Sequence, residues 1–178
     1  MKRWSTLMLA RTGVIAALYT VLTFVCFPVA SGMIQFRLSE MLTLLPLFYV
    51  EAAPALLVGC FLSNLMTGCG AWDIFLGAII TLIAAVCTRG IGKLFQNAFC
   101  RIFLGGFFPV ILNALFLPLV WWLSAGELQM GYWLNVGGLF LSQGVIIWGM
   151  GTALYFALKR LMEKNIPALN PTMPERKE

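Results

Sequence analysis

Apolar residues in this chain come in runs long enough to cross a lipid bilayer, and this feature decides most of what it can fold into. A helix crossing about 30 Å of hydrocarbon needs roughly 20 mostly apolar residues. Thr12 to Pro28 is one such stretch. The next, Leu38 to Thr67, is too long for one crossing and is broken by Glu51-Ala-Ala-Pro54. Proline lacks a backbone donor and favours a helix start, so a turn is expected there. The spacing therefore predicts six helices, at about 8–28, 39–50, 53–68, 72–94, 101–124 and 133–162, in one transmembrane domain over 1–166. The second is too short to span alone and needs shielding by its neighbours. The sixth is longer than the bilayer and should project into the cytoplasm. Residues 167–178, rich in proline and charge, read as a flexible cytoplasmic tail.

Composition supports a lipid solvent. The chain is 61% hydrophobic and 11% charged over 178 residues, against about 25% charged in an average soluble domain. A water-soluble enzyme, a secreted disulfide domain and a disordered protein are excluded on that ground. The Lys2-Arg3 start with Val29-Ala30-Ser31 downstream could be read as a signal peptide, but no soluble domain follows it. Histidine is absent, which removes His catalysis and His metal sites. The five cysteines include no C-x-x-C pair and are expected to pack as small apolar residues. No metal or cofactor is expected.

The net charge of +5 marks topology rather than a nucleic-acid partner. With six spans and an internal N-terminus, the cytoplasmic side holds Lys2, Arg3, Arg11, Arg89, Lys93, Arg101, Lys159, Arg160, Lys164, Arg176 and Lys177. That is eleven of the twelve cations, with only Arg37 outside. Reading 38–67 as one span leaves Lys2, Arg3 and Arg11 outside. Positive residues collect on the cytoplasmic side, so six spans with both ends inside is the better fit. Trp121, Trp122, Tyr132 and Trp133 then flank an outer loop, as an interfacial aromatic belt does.

An ionisable group at membrane depth is expensive and is a functional candidate by default. Arg37 and Glu40 enter the second helix, Asp73 enters the fourth, and Asn64 lies near the outer end of the third. All four are expected at one outer level, where they can converge on a pocket. Simpler roles are open to three of them: Asp73, like Ser39, as a helix cap, and Arg37 with Glu40 as a local pair. Asn113 and Gln143, deeper in the fifth and sixth helices, suit interhelical hydrogen bonds. Ala10, Gly13, Ala16 and Ala17 form a smooth strip on the first helix, fit for close packing inside the bundle or against another membrane protein. No nucleophile has a base beside it, and no Gly-rich loop ends in G-K-[ST].

Gln35-Phe36-Arg37-Leu38-Ser39-Glu40, then Leu44-Leu45-Pro46, Gly59 with Asn64, Gly70-x-x-Asp73-x-x-x-Gly77, and the Ala16-Ala17-Leu18-Tyr19 run resemble the QueT family of queuosine-precursor transporters. The motifs cover about residues 10–90; the C-terminal half matches in length and hydropathy. Members are substrate-binding S components of energy-coupling factor transporters. The resemblance implies an all-α, six-helix bundle in the cell membrane with the substrate near the outer face. It also implies a transmembrane coupling protein and two cytoplasmic ATPases as partners. The implied substrate is a 7-deazapurine, 7-aminomethyl-7-deazaguanine. S components commonly carry Ala-x-x-x-Ala on the first helix; here Ala10 is followed by Val14, and the nearest small pair is Gly13 and Ala17.

These residues suit such a ligand. A guanine-like edge presents N–H donors that one carboxylate accepts in bidentate fashion. An aminomethyl cation wants a second carboxylate or an aromatic face. Glu40 and Asp73 supply the acids, in either assignment; Trp72 or Phe36 can stack; Asn64 and Gln35 both donate and accept. Other readings are an S component for another nutrient, a small membrane enzyme using Asp or Glu, and a ligand-free structural subunit.

Overall fold

The computed structural model describes residues 5–27, 36–128, 131–164, 166 and 169. Six helices run in chain order: α1 (Thr6–Cys26), α2 (Leu38–Leu47), α3 (Ala52–Met66), α4 (Asp73–Leu94), α5 (Ala98–Ala125) and α6 (Tyr132–Glu163). No strand occurs among the described residues. The helices fall where the apolar runs and the Pro54 break predict. Of these, α1, α4, α5 and α6 are long and apolar enough to cross a membrane. Gln35, Lys2, Arg3, the 29–31 segment and most of the expected tail lie outside the described residues.

Local chemistry sets the ends. Ser5 caps α1 by accepting from the Met8 amide at 3.2 Å, and Asn97 caps α5 by accepting from the Phe99 amide at 2.9 Å. Both side chains take up an amide with no partner inside its own helix. Gly126, at φ 78°, closes α5 in the left-handed conformation that glycine adopts without steric cost.

The short second element is wound as a 3₁₀ helix of 10 residues. A 3₁₀ helix rises about 2.0 Å per residue against 1.5 Å for an α-helix. Ten residues therefore reach about 20 Å rather than about 15 Å, which lengthens a segment otherwise too short for its place. Ser39, Glu40 and every residue from Leu42 to Leu47 are buried. α2 touches all five other helices and forms the axis of the bundle, which supplies the shielding its length demands. Glycines on the neighbours make the approach possible: a Cβ would come to 3.1 Å of Leu47 from Gly92, 3.0 Å of Leu47 from Gly105 and 2.9 Å of Leu44 from Gly151.

The end of α2 is held by arginine. The Leu45 carbonyl accepts from the Phe48 and Tyr49 amides at 2.9 and 3.0 Å. The Pro46 carbonyl accepts from Arg89 at 3.1 Å. The Leu47 carbonyl accepts from Arg101 at 2.6 Å and Arg89 at 3.3 Å. Every carbonyl of the last turn is thereby satisfied. Close by, Arg11 pairs with buried Glu51 at 3.0 Å and lies over the Tyr49 ring at 5.0 Å, and the Tyr49 hydroxyl donates to the Leu169 carbonyl at 2.6 Å. Arg11, Arg89 and Arg101 thus meet at one end of the bundle, while Arg37 lies at the other end of α2.

Candidate functional site

Away from the arginine-rich end, two hydrogen-bonded groups include the expected site residues, one deep and one near the rim. The deep group centres on Glu40, in the first turn of α2 and 1% exposed. Its Oε1 accepts from the Tyr19 hydroxyl of α1 at 2.8 Å. Its Oε2 accepts from Asn113 Nδ2 of α5 at 3.2 Å. The same Asn113 amide donates to Gln143 Oε1 of α6 at 2.9 Å. Four helices thus deliver one side chain each to a single hydrogen-bonded chain. Tyr19 and Gln143 are both 0% exposed. Gln143 Nε2 is the one buried amide nitrogen without a partner among the described residues.

The rim group ties the other ends of the helices together. Arg37 donates to Asn64 Oδ1 at 3.2 Å. Asn64 Nδ2 donates to the Asp73 carbonyl at 2.9 Å. The Ser124 hydroxyl donates to Asp73 Oδ2 at 3.3 Å. Asn64 is buried and the Asp73 side chain is only partly covered. Glycines keep the space open for both groups. A Cβ on Gly59 would lie 2.8 Å from the Tyr19 Cβ, and one on Gly77 would lie 3.1 Å from Asn64 Nδ2.

The expectation that Glu40, Asp73, Asn64 and Arg37 share one level is corrected. Glu40 is bonded at Asn113, mid-way along α5, and Asp73 at Ser124 near its end. α5 climbs about 16 Å between those positions at 1.5 Å per residue. The cause is α2 itself, which starts inside the bundle rather than at its surface. Arg37 and Glu40 form no ion pair either; the pair found among the described residues is Arg11–Glu51. Asn113 and Gln143 do bond across helices, and they do so as part of the Glu40 group. Tyr19 was legible only as part of the Ala16–Tyr19 run; an acid beginning a buried element needs donors from its neighbours, and that was the signal for all three.

The proposed stacking residues stand apart. Trp72 is 53% and Phe36 43% exposed. Phe36 lines an open apolar groove of about 490 Å³ with Trp133, Leu134, Gly137, Leu141 and Val145 on α6. The strip on α1 divides. Ala16 is buried against α3, where its carbonyl would lie 3.0 Å from a Cβ on Gly59, while Ala10, Gly13 and Ala17 face outward, and nothing comes within 4 Å of a Cβ on Gly13.

Helix irregularities adjoin both groups. α4 opens with a π turn over Asp73–Gly77, and α6 contains one over Val145–Met150, just after Gln143. Such bulges break the regular backbone ladder and recur at functional sites. Chemically, the deep group offers a carboxylate acceptor and an amide N–H donor, and the rim group offers a second carboxylate.

A family model described as QueT transporter matches residues 9–160. The chain is 34% identical over 86 residues to the queuosine precursor transporter QueT of Lactococcus lactis subsp. cremoris (strain MG1363). That alignment covers 47% of this chain and 50% of the relative, so the match spans about half the length of each. No solved structure matches. Four apolar helices of spanning length and the transporter match make this a multi-pass membrane protein.

Proposed function

We propose, from the premise that the chain belongs to the QueT transporter family, that it is the substrate-binding membrane subunit of an energy-coupling factor importer in a bacterial plasma membrane. Its substrate is a queuosine precursor, 7-aminomethyl-7-deazaguanine. The observation that carries this reading is a buried carboxylate, Glu40, with uncharged donors converging on it from α1 and α5 inside the bundle. Such a group is costly unless it is paired, and it is the kind of residue that marks a substrate path in a membrane protein. The name of the Lactococcus relative supports the substrate class.

In this reading Glu40 accepts the N1–H and 2-amino donors of the deazaguanine edge, exchanging its Tyr19 bond for ligand bonds and keeping its bond to Asn113. Asp73, at the rim, attracts the aminomethyl cation as the ligand enters, before the ring reaches Glu40. Arg37 and Asn64 hold the rim, and Phe36 and Trp72, which stand apart from Glu40, are not assigned to the ring. Energy comes from a transmembrane coupling protein and two cytoplasmic ATPases. Ala10, Gly13 and Ala17, on the outward face of α1, meet the coupling protein; Ala16 sets the α1–α3 spacing.

Calorimetric titration of the purified subunit with 7-aminomethyl-7-deazaguanine tests the reading. The wild-type protein binds. Truncating one partner of a buried charged hydrogen bond costs about 2–5 kcal/mol, so Glu40→Gln binds roughly 30-fold or more weakly. Glu127→Gln, at an exposed site, changes affinity little. A wild-type protein that binds no 7-deazaguanine overturns the substrate assignment. Wild-type affinity in Glu40→Gln overturns the site.

A further inference from the structure

The hydrogen bonds of the deep group have a direction, and that direction ends at Gln143. A carboxylate offers only acceptors, so Glu40 Oε2 fixes the near end of Asn113 as its NH₂. That NH₂ also points at α6, which fixes the near end of Gln143 as its oxygen. The Gln143 amide therefore has one orientation available. Its Nε2 is buried and finds no acceptor among the described residues. An unmade hydrogen bond of a buried amide costs about 1–3 kcal/mol, and a protein interior rarely leaves one without cause. A further acceptor is missing from the group.

We propose that Gln143 Nε2 is the donor that reads the 6-oxo group of the ligand, and that Glu40 sets this polarity through Asn113. Gln143 is thereby a specificity-determining residue for 6-oxo over 6-substituted 7-deazapurines. The inference rests on the substrate reading above and adds a residue and a chemical position to it. On one face of the ligand the acceptor-only Glu40 takes N1–H and the 2-amino group. On the adjacent 6-position the amide N–H takes the carbonyl. A 6-amino ring presents N–H to an N–H at that point, and no rotation of Gln143 relieves the clash without breaking its bond to Asn113. The π turn over Val145–Met150 follows immediately and lets α6 depart from regular geometry where Gln143 must be aimed.

Two ligand changes separate the two ends of the group. The first is the 2-deamino analogue of 7-aminomethyl-7-deazaguanine, which loses a donor facing Glu40. The second is the 6-thio analogue, which keeps both donors and weakens only the acceptor at position 6. Each is titrated against wild type, Gln143→Met and Glu40→Gln in detergent, with the unfolding midpoint recorded for every variant. Wild type binds the 6-thio analogue about ten-fold more weakly than the parent, the size of one neutral hydrogen bond, and the 2-deamino analogue more weakly still, because its missing donor faces a carboxylate. In Gln143→Met the preference for 6-oxo over 6-thio disappears while the preference for the 2-amino group remains. In Glu40→Gln both preferences weaken, because a neutral amide at position 40 accepts less well from the 2-amino group and no longer fixes the orientation of Asn113 and Gln143.

The wild-type series stands even if a variant fails to fold: equal affinity for the 6-oxo and 6-thio ligands overturns the proposal. A folded Gln143→Met that keeps the full 6-oxo preference also overturns it and leaves the substrate reading intact. Failure of wild type to bind the parent compound is the separate result that removes the substrate reading itself.

Discussion

At the scale of single residues, the site depends as much on what is absent as on what bonds. Glu40 holds Tyr19 and Asn113, but Tyr19 reaches it only because residue 59 has no Cβ. An alanine there would put a methyl 2.8 Å from the Tyr19 Cβ and 3.0 Å from the Ala16 carbonyl, a contact that forces α1 away from α3. Overpacking of this kind costs about 1–3 kcal/mol. Gly59→Ala is therefore expected to lower the unfolding midpoint and to weaken ligand binding, because the Tyr19 hydroxyl moves off the carboxylate. Gly13→Ala, on the open face of α1, is expected to leave both unchanged or to stabilise slightly through helix propensity. Thermal unfolding with and without ligand compares the two; equal behaviour would show that the α1–α3 contact is not tight. Glu40, Arg37, Asn64 and Asp73 were legible in the sequence because charged and amide groups stand out among apolar neighbours. Their division into a deep and a rim group was not, since it depends on where α2 starts along the bundle axis. Spacing along one chain carries no such information.

At the scale of elements, α2 explains why a short apolar run can sit among full-length helices. The sequence showed its length and its proline, and from these a short shielded helix follows. Its 3₁₀ winding did not follow, because winding answers to the distance it must cover and to the five helices around it. Nor was the second role of the arginines visible. Arg89 and Arg101 count as topology signals in the sequence, yet in the fold they occupy the carbonyls of Pro46 and Leu47. Positive charge at a helix C-terminus is favourable in its own right. Arg101 also lies 5.4 Å from the Phe48 ring centre and 5.8 Å from that of Tyr155, which joins α5 to α2 and α6. Arg101→Met removes these interactions together. A charge-assisted hydrogen bond contributes about 1.5–3 kcal/mol, so the variant is expected to unfold measurably earlier in detergent, with Arg101→Lys intermediate because lysine keeps the charge but not the fork. Lys93→Met, at an exposed position, serves as the comparison. An Arg101→Met protein as stable as Lys93→Met would mean that the end of α2 needs no cap.

At the scale of the whole molecule, the two ends of the bundle are chemically unlike, and this bears on both coupling and orientation. The outward face of α1 carries Ala10, Gly13 and Ala17 beside Val14, Leu18 and Val21, each at least 48% exposed for the larger three. If that face meets a coupling protein, Gly13→Leu should abolish uptake in cells carrying the partner subunits while the isolated protein still binds ligand. Ala16→Leu, which faces α3, should damage the fold itself. Loss of binding in Gly13→Leu would assign its position to the bundle. Orientation follows from charge. Arg11, Arg89 and Arg101 gather around the 46–51 turn, and Lys93, Lys159, Arg160 and Lys164 belong to the same ends of α4 and α6. Arg37 alone among the described cations lies with Asp73 and Ser124 at the opposite end, where Trp122 is 51% and Trp133 76% exposed, as residues of an interfacial belt are. By the tendency of lysine and arginine to stay in the cytoplasm, the expected orientation has the 46–51 turn inside the cell and the rim group outside. The proposed function requires this orientation, because a substrate-binding subunit of an importer meets its substrate from outside the cell. In a background without the native cysteines, Glu127→Cys is expected to react with a membrane-impermeant maleimide on intact cells. Gln96→Cys, which spares the Asn97 cap, should react only after the membrane is opened. Labelling of Gln96→Cys from outside together with protection of Glu127→Cys would reverse the molecule in the membrane and set the Glu40 site facing the wrong compartment for uptake.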